Sequence, residues 1–326
     1  MASVSGQMAA APAARATVEA ASLHRAIFIG IAVFLAVAPF LLYPVFLMKV
    51  LCFALFACAF NRLLGYGGLL SFGHAAYLGT ASYICAHTAK VWGVPPEVAI
   101  LLGTASAAVL GLVFGSLAIR RQGIYFAMIT LALAQMVFFF SLQAPFTGGE
   151  DGIQAVPRGR LFGLVDLSSD TTLYYVVATI FLAGVLFIYR IIHSPFGQVL
   201  KAIRDNEPRA ISLGYATNRY KLVVFTLSAT LAGLAGATKA IVFQLASLTD
   251  VHWTMSGEVV LMTLVGGMGT VFGPMVGAAV IVTMQNYLAH LGAWVTVIQG
   301  VIFVICVMLF REGIVGVLAK RLKRPL

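Results

Sequence analysis

The chain has 326 residues, of which 61% are apolar and 10% charged, whereas a soluble domain keeps roughly a quarter of its residues charged to cover its surface. That balance excludes a water-soluble fold and makes lipid the solvent for most of the surface. The net charge of +10 arises from 21 Lys and Arg against 11 Asp and Glu, but it forms no patch or stripe of the kind that nucleic acid requires, so no nucleic-acid partner is expected.

Residues 1–25, rich in Ala with Arg15, Glu19 and Arg25, read as a loosely ordered cytoplasmic extension. The next run, 26–47, holds 22 residues without a charge, longer than the ~7–15 apolar residues of a signal peptide. It is expected to stay as a first helix, with nothing cleaved. A helix needs about 20 apolar residues to span about 30 Å of hydrocarbon, and on that length ten spans are expected. They lie at 26–47, 48–61, 69–89, 97–119, 124–142, 173–191, 221–243, 257–272, 274–291 and 294–310, the second and eighth being short. The expected fold is therefore an all-α polytopic membrane protein, with a permease domain over 26–310 and a basic tail over 311–326.

The basic residues cluster at Arg120 and Arg121, from Arg190 to Lys221 and from Arg311 to Arg324. Starting inside and alternating sides puts 16 of the 21 basic residues in the cytoplasm and leaves Lys49, Lys90, Arg158, Arg160 and Lys239 outside. The positive-inside rule thus favours ten spans with both termini cytoplasmic. Cys52, Cys58, Cys85 and Cys306 all fall in apolar runs without paired or CxxC spacing, which suits small packing residues.

Two glycine clusters, Gly65-Tyr66-Gly67-Gly68 and Gly266-Gly267-Met268-Gly269, interrupt the second and eighth spans. Backbone that leaves the helix inside a membrane must be shielded or line a cavity, and broken helices in corresponding places point to a substrate path. Small residues also simply let helices approach. Ser71, Phe72 and His74 open the third span beside the first cluster. There, free backbone N–H groups at a helix start can meet a carboxylate. The expected path set is Ser71, Phe72, His74, Gly266, Gly267 and Gly269, although a lone buried His is more often hydrogen-bonded structure. Glu258, at the outer start of the eighth span, complements that helix's N-terminus.

Two hydrophilic stretches are long, 143–172 outside and 192–220 inside. In the first, Thr147, Gly148, Gly149 and Asp151 belong to a glycine-rich turn that shapes the outer mouth or meets a binding protein. In the second, Val199, Leu200 and Ile203 recur at helical spacing and Pro208 suits the first turn of a second short helix. This is either an amphipathic docking element or a solvated basic loop that only fixes topology. As a docking element it would place Ala210 flush against a partner, with Glu207 and Arg209 pairing charges at the rim and Gly214 allowing a tight exit.

The inside stretch, with Ser194-Pro195-Phe196-Gly197, Ala202-Ile203-Arg204, Asn206-Glu207, Arg209-Ala210 and Leu213-Gly214, closely resembles the coupling loop of LivM-type permeases of branched-chain amino-acid importers. The similarity extends through Gly67 to Tyr77, Gly123 to Ala132, Thr147 to Ile153, Ala232 to Ala237, Ser256 to Glu258 and Gly266 to Pro274, leaving out only the first 25 or so residues. The resemblance implies an ATP-binding-cassette importer permease fold in a bacterial inner membrane. Its partners would be lipid, a sister permease in a heterodimer, two cytoplasmic ATPases and a periplasmic binding protein. It also implies ATPase coupling through Glu207, Arg209, Ala210, Leu213 and Gly214, and a substrate that is an amino acid, with urea and amides as the alternative within the wider family.

The chain contains no GxxxxGK[ST] phosphate loop, so ATP would be used by the partner subunits, the chain itself being no enzyme and binding no cofactor or metal. An ion-coupled secondary transporter would carry membrane-embedded ionisable groups, and the spans here carry almost none apart from Lys49, Lys239 and Glu258 near helix ends. An intramembrane enzyme would need facing catalytic groups, and His74 and His87, 13 apart, have no carboxylate at ligand spacing.

Overall fold

The computed structural model describes residues 10–292, 294–309 and 313–322; part of the expected extension and of the basic tail lies outside them. Helices α1 (Ala10–Leu41), α2 (Pro44–Asn61), α3 (His74–Lys90), α4 (Pro96–Ala118) and α5 (Ile124–Gln143) are followed by α6 (Asp170–Ile192), α7 (Pro195–Asp205) and α8 (Glu207–Ser212). Then come α9 (Thr217–Phe243), α10 (Trp253–Gly266), α11 (Gly273–Leu288), α12 (Trp294–Leu309) and α13 (Gly313–Leu322). The expected apolar segments lie largely on helices, but the first, 26–47, is split at Leu42 and Tyr43 between α1 and α2, and the eighth, 257–272, ends in the non-helical stretch 267–272. Five of these are long and apolar enough to cross a bilayer among the described residues, namely Pro44–Tyr66, α4, α5, α6 and α9. In α1 and α12 the apolar parts are the shorter Arg25–Leu41 and Val297–Cys306. The chain is thus a multi-pass helical membrane protein.

The second segment is not short. Its helix continues past Asn61 as one wide π-turn, Arg62–Tyr66, and together they run 23 residues. A π-turn inserts extra backbone without ending the helix, so the glycines after Tyr66, rather than a truncated span, mark the break. Residues 69–73, expected at the head of the third span, are instead non-helical lead-in to α3.

Helix α2 is the hub, buried without interruption from Leu51 to Asn61 and packed against α6, α9, α10 and α11. Helices α3, α4 and α9 form a tight neighbouring group because small residues meet backbone. A Cβ on Gly103 would stand 2.6 Å from the Ala81 carbonyl oxygen, and one on Gly236 would overlap that of Leu78. The α10–α11 crossing is closer still, since a Cβ on Gly277 would overlap the Met262 carbonyl and one on Gly266 that of Gly273. In lipid, where apolar burial between helices gains little, such close approach supplies the packing energy.

At the end carrying the 144–169 linker, short strands β1 (Ile153–Gln154), β2 (Arg160–Leu161), β3 (Val165–Asp166) and β4 (Leu245–Ala246) tie the loops down. β1 pairs antiparallel with β4, and β2 with β3. Arg158 bridges the linker to α6 through Asp170 at 2.7 Å and to α9 through the Val242 carbonyl at 3.1 Å. Nearby, Lys239 of α9 pairs with Asp250, whose side chain is 1% exposed, and lies 5.8 Å from the centre of the Phe53 ring. Lys49 and Glu258 lie near enough to Lys239, and to each other, for their charges to interact. Charges that look like separate helix-end residues in the sequence gather in one region between α2, α9 and α10, around the Lys239–Asp250 pair.

Removing one member of a buried ion pair costs about 3–5 kcal/mol because the other is left uncompensated. Lys239→Met is expected to destabilise the protein by about 3 kcal/mol, read as a fall in thermal midpoint in detergent. Adding Asp250→Asn is expected to restore part of the loss, as a pair rather than a lone cation requires.

Candidate functional site

The two glycine clusters meet. Asn61, the last residue of α2 and 3% exposed, donates from Nδ2 to the Thr270 carbonyl at 2.8 Å and accepts the Gly269 N–H at its Oδ1 at 3.0 Å. A Cβ on Gly65 would stand 2.6 Å from the Gly269 nitrogen, so the π-turn and the α10–α11 connection touch backbone to backbone. Gly267 and Gly269 have φ of +126° and +79°, conformations that L side chains rarely adopt. Sequence reasoning found the clusters but missed Asn61, whose partners lie more than 200 residues away; a single Asn in an apolar run was the only available signal.

The other expected path residues sit at the same end, and most polar groups around them are already engaged, although His74 Nδ1 is buried without a hydrogen-bond partner among the described residues. The Phe72 N–H donates to Thr130 Oγ1 at 3.1 Å, that of Gly73 to Ser71 Oγ at 3.2 Å, and that of Ala75 to Ser256 Oγ at 2.9 Å. The Ala76 N–H goes to the Gly73 carbonyl at 3.1 Å. Two of the donors expected to meet a carboxylate at the start of α3, the N–H groups of Phe72 and Ala75, are therefore used to lock α3 against α5 and α10. His74 is fully enclosed, its Nε2 2.9 Å from Ser228 Oγ, which in turn donates to the Ala59 carbonyl at 2.6 Å. Phe60, Tyr77 and Phe225 surround the ring. In this conformation His74 joins α2, α3 and α9 and lines no opening.

The expected coupling stretch forms the two helices α7 and α8. Ser194 caps α7 by accepting the Gly197 N–H at 3.4 Å, with Pro195 in the first turn. Asn206, in extended conformation, ends α7 and caps α8 through the Arg209 N–H at 3.0 Å, and Gly214 exits at φ +88°. Stacking of Phe196 on Tyr220, 5.5 Å between centres, fixes α7 to the start of α9. Glu207, expected with Arg209 to offer charge at the rim of a partner, instead gives its carboxylate to Lys221 of α9 at 2.5 Å. Ala210, expected flush against a partner, is 3% exposed and packed inside the chain. The outward apolar residues are Ile211, 56% exposed, and Leu213, 69% exposed.

Toward the π-turn, Arg204 Nη1 donates to the Gly65 carbonyl at 2.5 Å, while its Cγ lies where a Gly68 side chain would begin. Lys201 stands 5.5 Å from the centre of the Tyr66 ring. A polar cleft of about 370 Å³ remains between Gly68, Gln122, Arg204, Asn206 and Lys221.

At the opposite end, Thr147 is buried and donates to the Ser141 or Ala144 carbonyl, each at 2.6 Å. Gly148 and Gly149 turn the chain at φ of +77° and +59°, and Asp151 is exposed. This turn leads straight into β1 and hence to the end of α9.

Residues 42–307 match the family described as the branched-chain amino acid transport system / permease component. The chain belongs to this family. Among its relatives are the high-affinity branched-chain amino acid transport system permease proteins LivM of Salmonella typhimurium, 28% identical over 68% of this chain, and of Escherichia coli, 27% identical over 67%. The aligned parts cover 58% and 56% of those two proteins, so the chain spans just over half the length of the LivM relatives it matches. The ribose import permease protein RbsC of Bacillus subtilis is 28% identical over 68% of this chain and 70% of its own. No solved structure matches the chain. The family therefore embraces permeases named for amino acids and for a sugar, and membership alone does not choose between them.

Proposed function

We propose that this chain is one membrane-spanning subunit of an ATP-binding-cassette importer for amino acids of the branched-chain type. It sits in a bacterial inner membrane with both termini in the cytoplasm, pairs with a sister permease, takes substrate from a periplasmic binding protein and uses two cytoplasmic ATPases. The observation that carries the reading is the α7–α8 element. A doubly capped pair of short helices, braced to α9 by the Glu207–Lys221 ion pair, presents Ile211 and Leu213 outward on the side that the positive-inside rule assigns to the cytoplasm. Exposed apolar residues on a rigid polar knob are the mark of a protein-binding surface. The coupling set is thus Ile211 and Leu213 for contact, with Glu207, Ala210 and Gly214 holding their geometry and Arg209 exposed beside them.

Amino acid rather than sugar is supported by the likeness to two LivM proteins and by the mixed charges of Lys49, Lys239, Asp250 and Glu258 gathered at the outer end, which suit a zwitterion. Reconstituted with its sister permease, ATPases and binding protein, the chain is expected to drive ATP-dependent uptake of radiolabelled leucine, isoleucine or valine into proteoliposomes. Uptake of ribose with none of the three amino acids would replace this substrate class.

A further inference from the structure

We propose that Arg204 is the positioning residue through which movement of α7–α8 reaches the joint between the two broken helices. The inference rests on the reading of α7–α8 as the ATPase-docking element and adds the path by which a push there is transmitted. Helix α7 touches the π-turn region at three successive points. Arg204 holds the Gly65 carbonyl at 2.5 Å, Lys201 lies over the Tyr66 ring, and the Arg204 stem fills the space that a Gly68 side chain would take. Gly65 in turn abuts Gly269, and Asn61 binds that same connection by two hydrogen bonds. A displacement of α7 therefore acts on the α10–α11 connection through backbone contacts, without a flexible side chain between the π-turn and Gly269.

The joint is built to move. A π-turn is a local, single-turn insertion that occurs frequently at functional sites. Within it Arg62 is 1% exposed, yet neither Nη has a hydrogen-bond partner among the described residues; the Phe187 ring centre lies 6.0 Å from the guanidinium carbon. An unpaired buried cation is costly, so this arrangement of the joint is held by its surroundings, and a rotation that gave Arg62 a carbonyl would be favoured once the Arg204 clamp moved. Packed interfaces of this kind switch between discrete arrangements rather than bending continuously.

The test uses the complete importer with Arg204→Met, which keeps bulk and removes the donors, and Arg204→Lys, which keeps one charged donor. The measured quantities are ATPase co-purification, basal ATP hydrolysis, its stimulation by leucine-loaded binding protein, and leucine uptake. Arg204→Met is expected to retain the ATPases and basal hydrolysis but to lose stimulation and at least tenfold of the uptake per ATP, with Arg204→Lys recovering part of both. A spin label at Met268→Cys, an exposed position in the connection, is expected to change its spectrum on vanadate trapping in the parent protein and not in Arg204→Met. An Arg204→Met importer with the parent ratio of uptake to hydrolysis, or a Met268 label insensitive to nucleotide in the parent, would overturn the proposal. Retention of the ATPases by a variant with a charged α8 surface would instead defeat the docking reading, which is a separate outcome.

Discussion

Ile211→Asp with Leu213→Asp is expected to abolish uptake and ATPase co-purification while the protein still inserts and accumulates in the membrane. Both side chains are more than half exposed, so the folded chain alone loses little when they become charged. In a docked complex they would lie at the centre of the contact. Apolar anchors there are worth about 2 kcal/mol or more each, and burying an unpaired carboxylate adds to the loss. A fall of more than a hundredfold in affinity for the ATPase is expected, measured by co-purification and by uptake at matched expression. Arg209→Gln, which removes an exposed charge beside the same surface, is expected to change affinity by only severalfold and more at low salt. Parent-level uptake by the double Asp variant would make α7–α8 a topology-setting loop and nothing more.

The second large effect is expected at a position that touches no ligand. A side chain on Gly277 must overlap the Met262 carbonyl oxygen and stand 2.8 Å from the Gly266 nitrogen, so Gly277→Val forces α10 and α11 apart or fails to pack. Overpacking in a close-packed interior costs about 1–3 kcal/mol, and more where backbone rather than side chain must yield. Gly277→Val is expected to reduce membrane abundance about tenfold and to broaden or abolish the thermal transition in detergent. Gly30→Val in α1, where nothing lies within 4 Å of the added atom, is the matched control and is expected to be neutral or slightly stabilising. Equal abundance of the two variants would show that the α10–α11 crossing is looser than described.

The features legible in the sequence were those written in local signals. Apolar length marked the helices, and Pro208 and Gly214 marked the start and the exit of α8, because turn residues act on backbone within a few positions. The side on which a six-residue helix is buried is not local. Ala210 faces inward because α8 folds back on α9 through Glu207 and Lys221, a pairing that spacing alone does not reveal. His74 and the N–H groups around it were expected at an opening, yet Ser228 meets the His74 ring and Thr130 and Ser256 take the Phe72 and Ala75 N–H groups, from three other helices. The contact between the glycine clusters was illegible for the same reason. Each cluster announced a break, and only the fold shows that Asn61 and Gly65 place one break against the other.

The pairing of β1 with β4 also constrains how the protein is made. Ile153 and Ala246 are partners separated by about 90 residues, a stretch that includes all of α6 to α9, and a ribosome adding ~5–20 residues per second needs roughly 5–20 s to supply it. Throughout that interval the 144–169 linker waits without its partner strand, its glycine turn open to proteases and chaperones. Biogenesis thus has a late closing step, taken only once α9 has been threaded, and truncations ending before Ala246 should leave that linker cleavable.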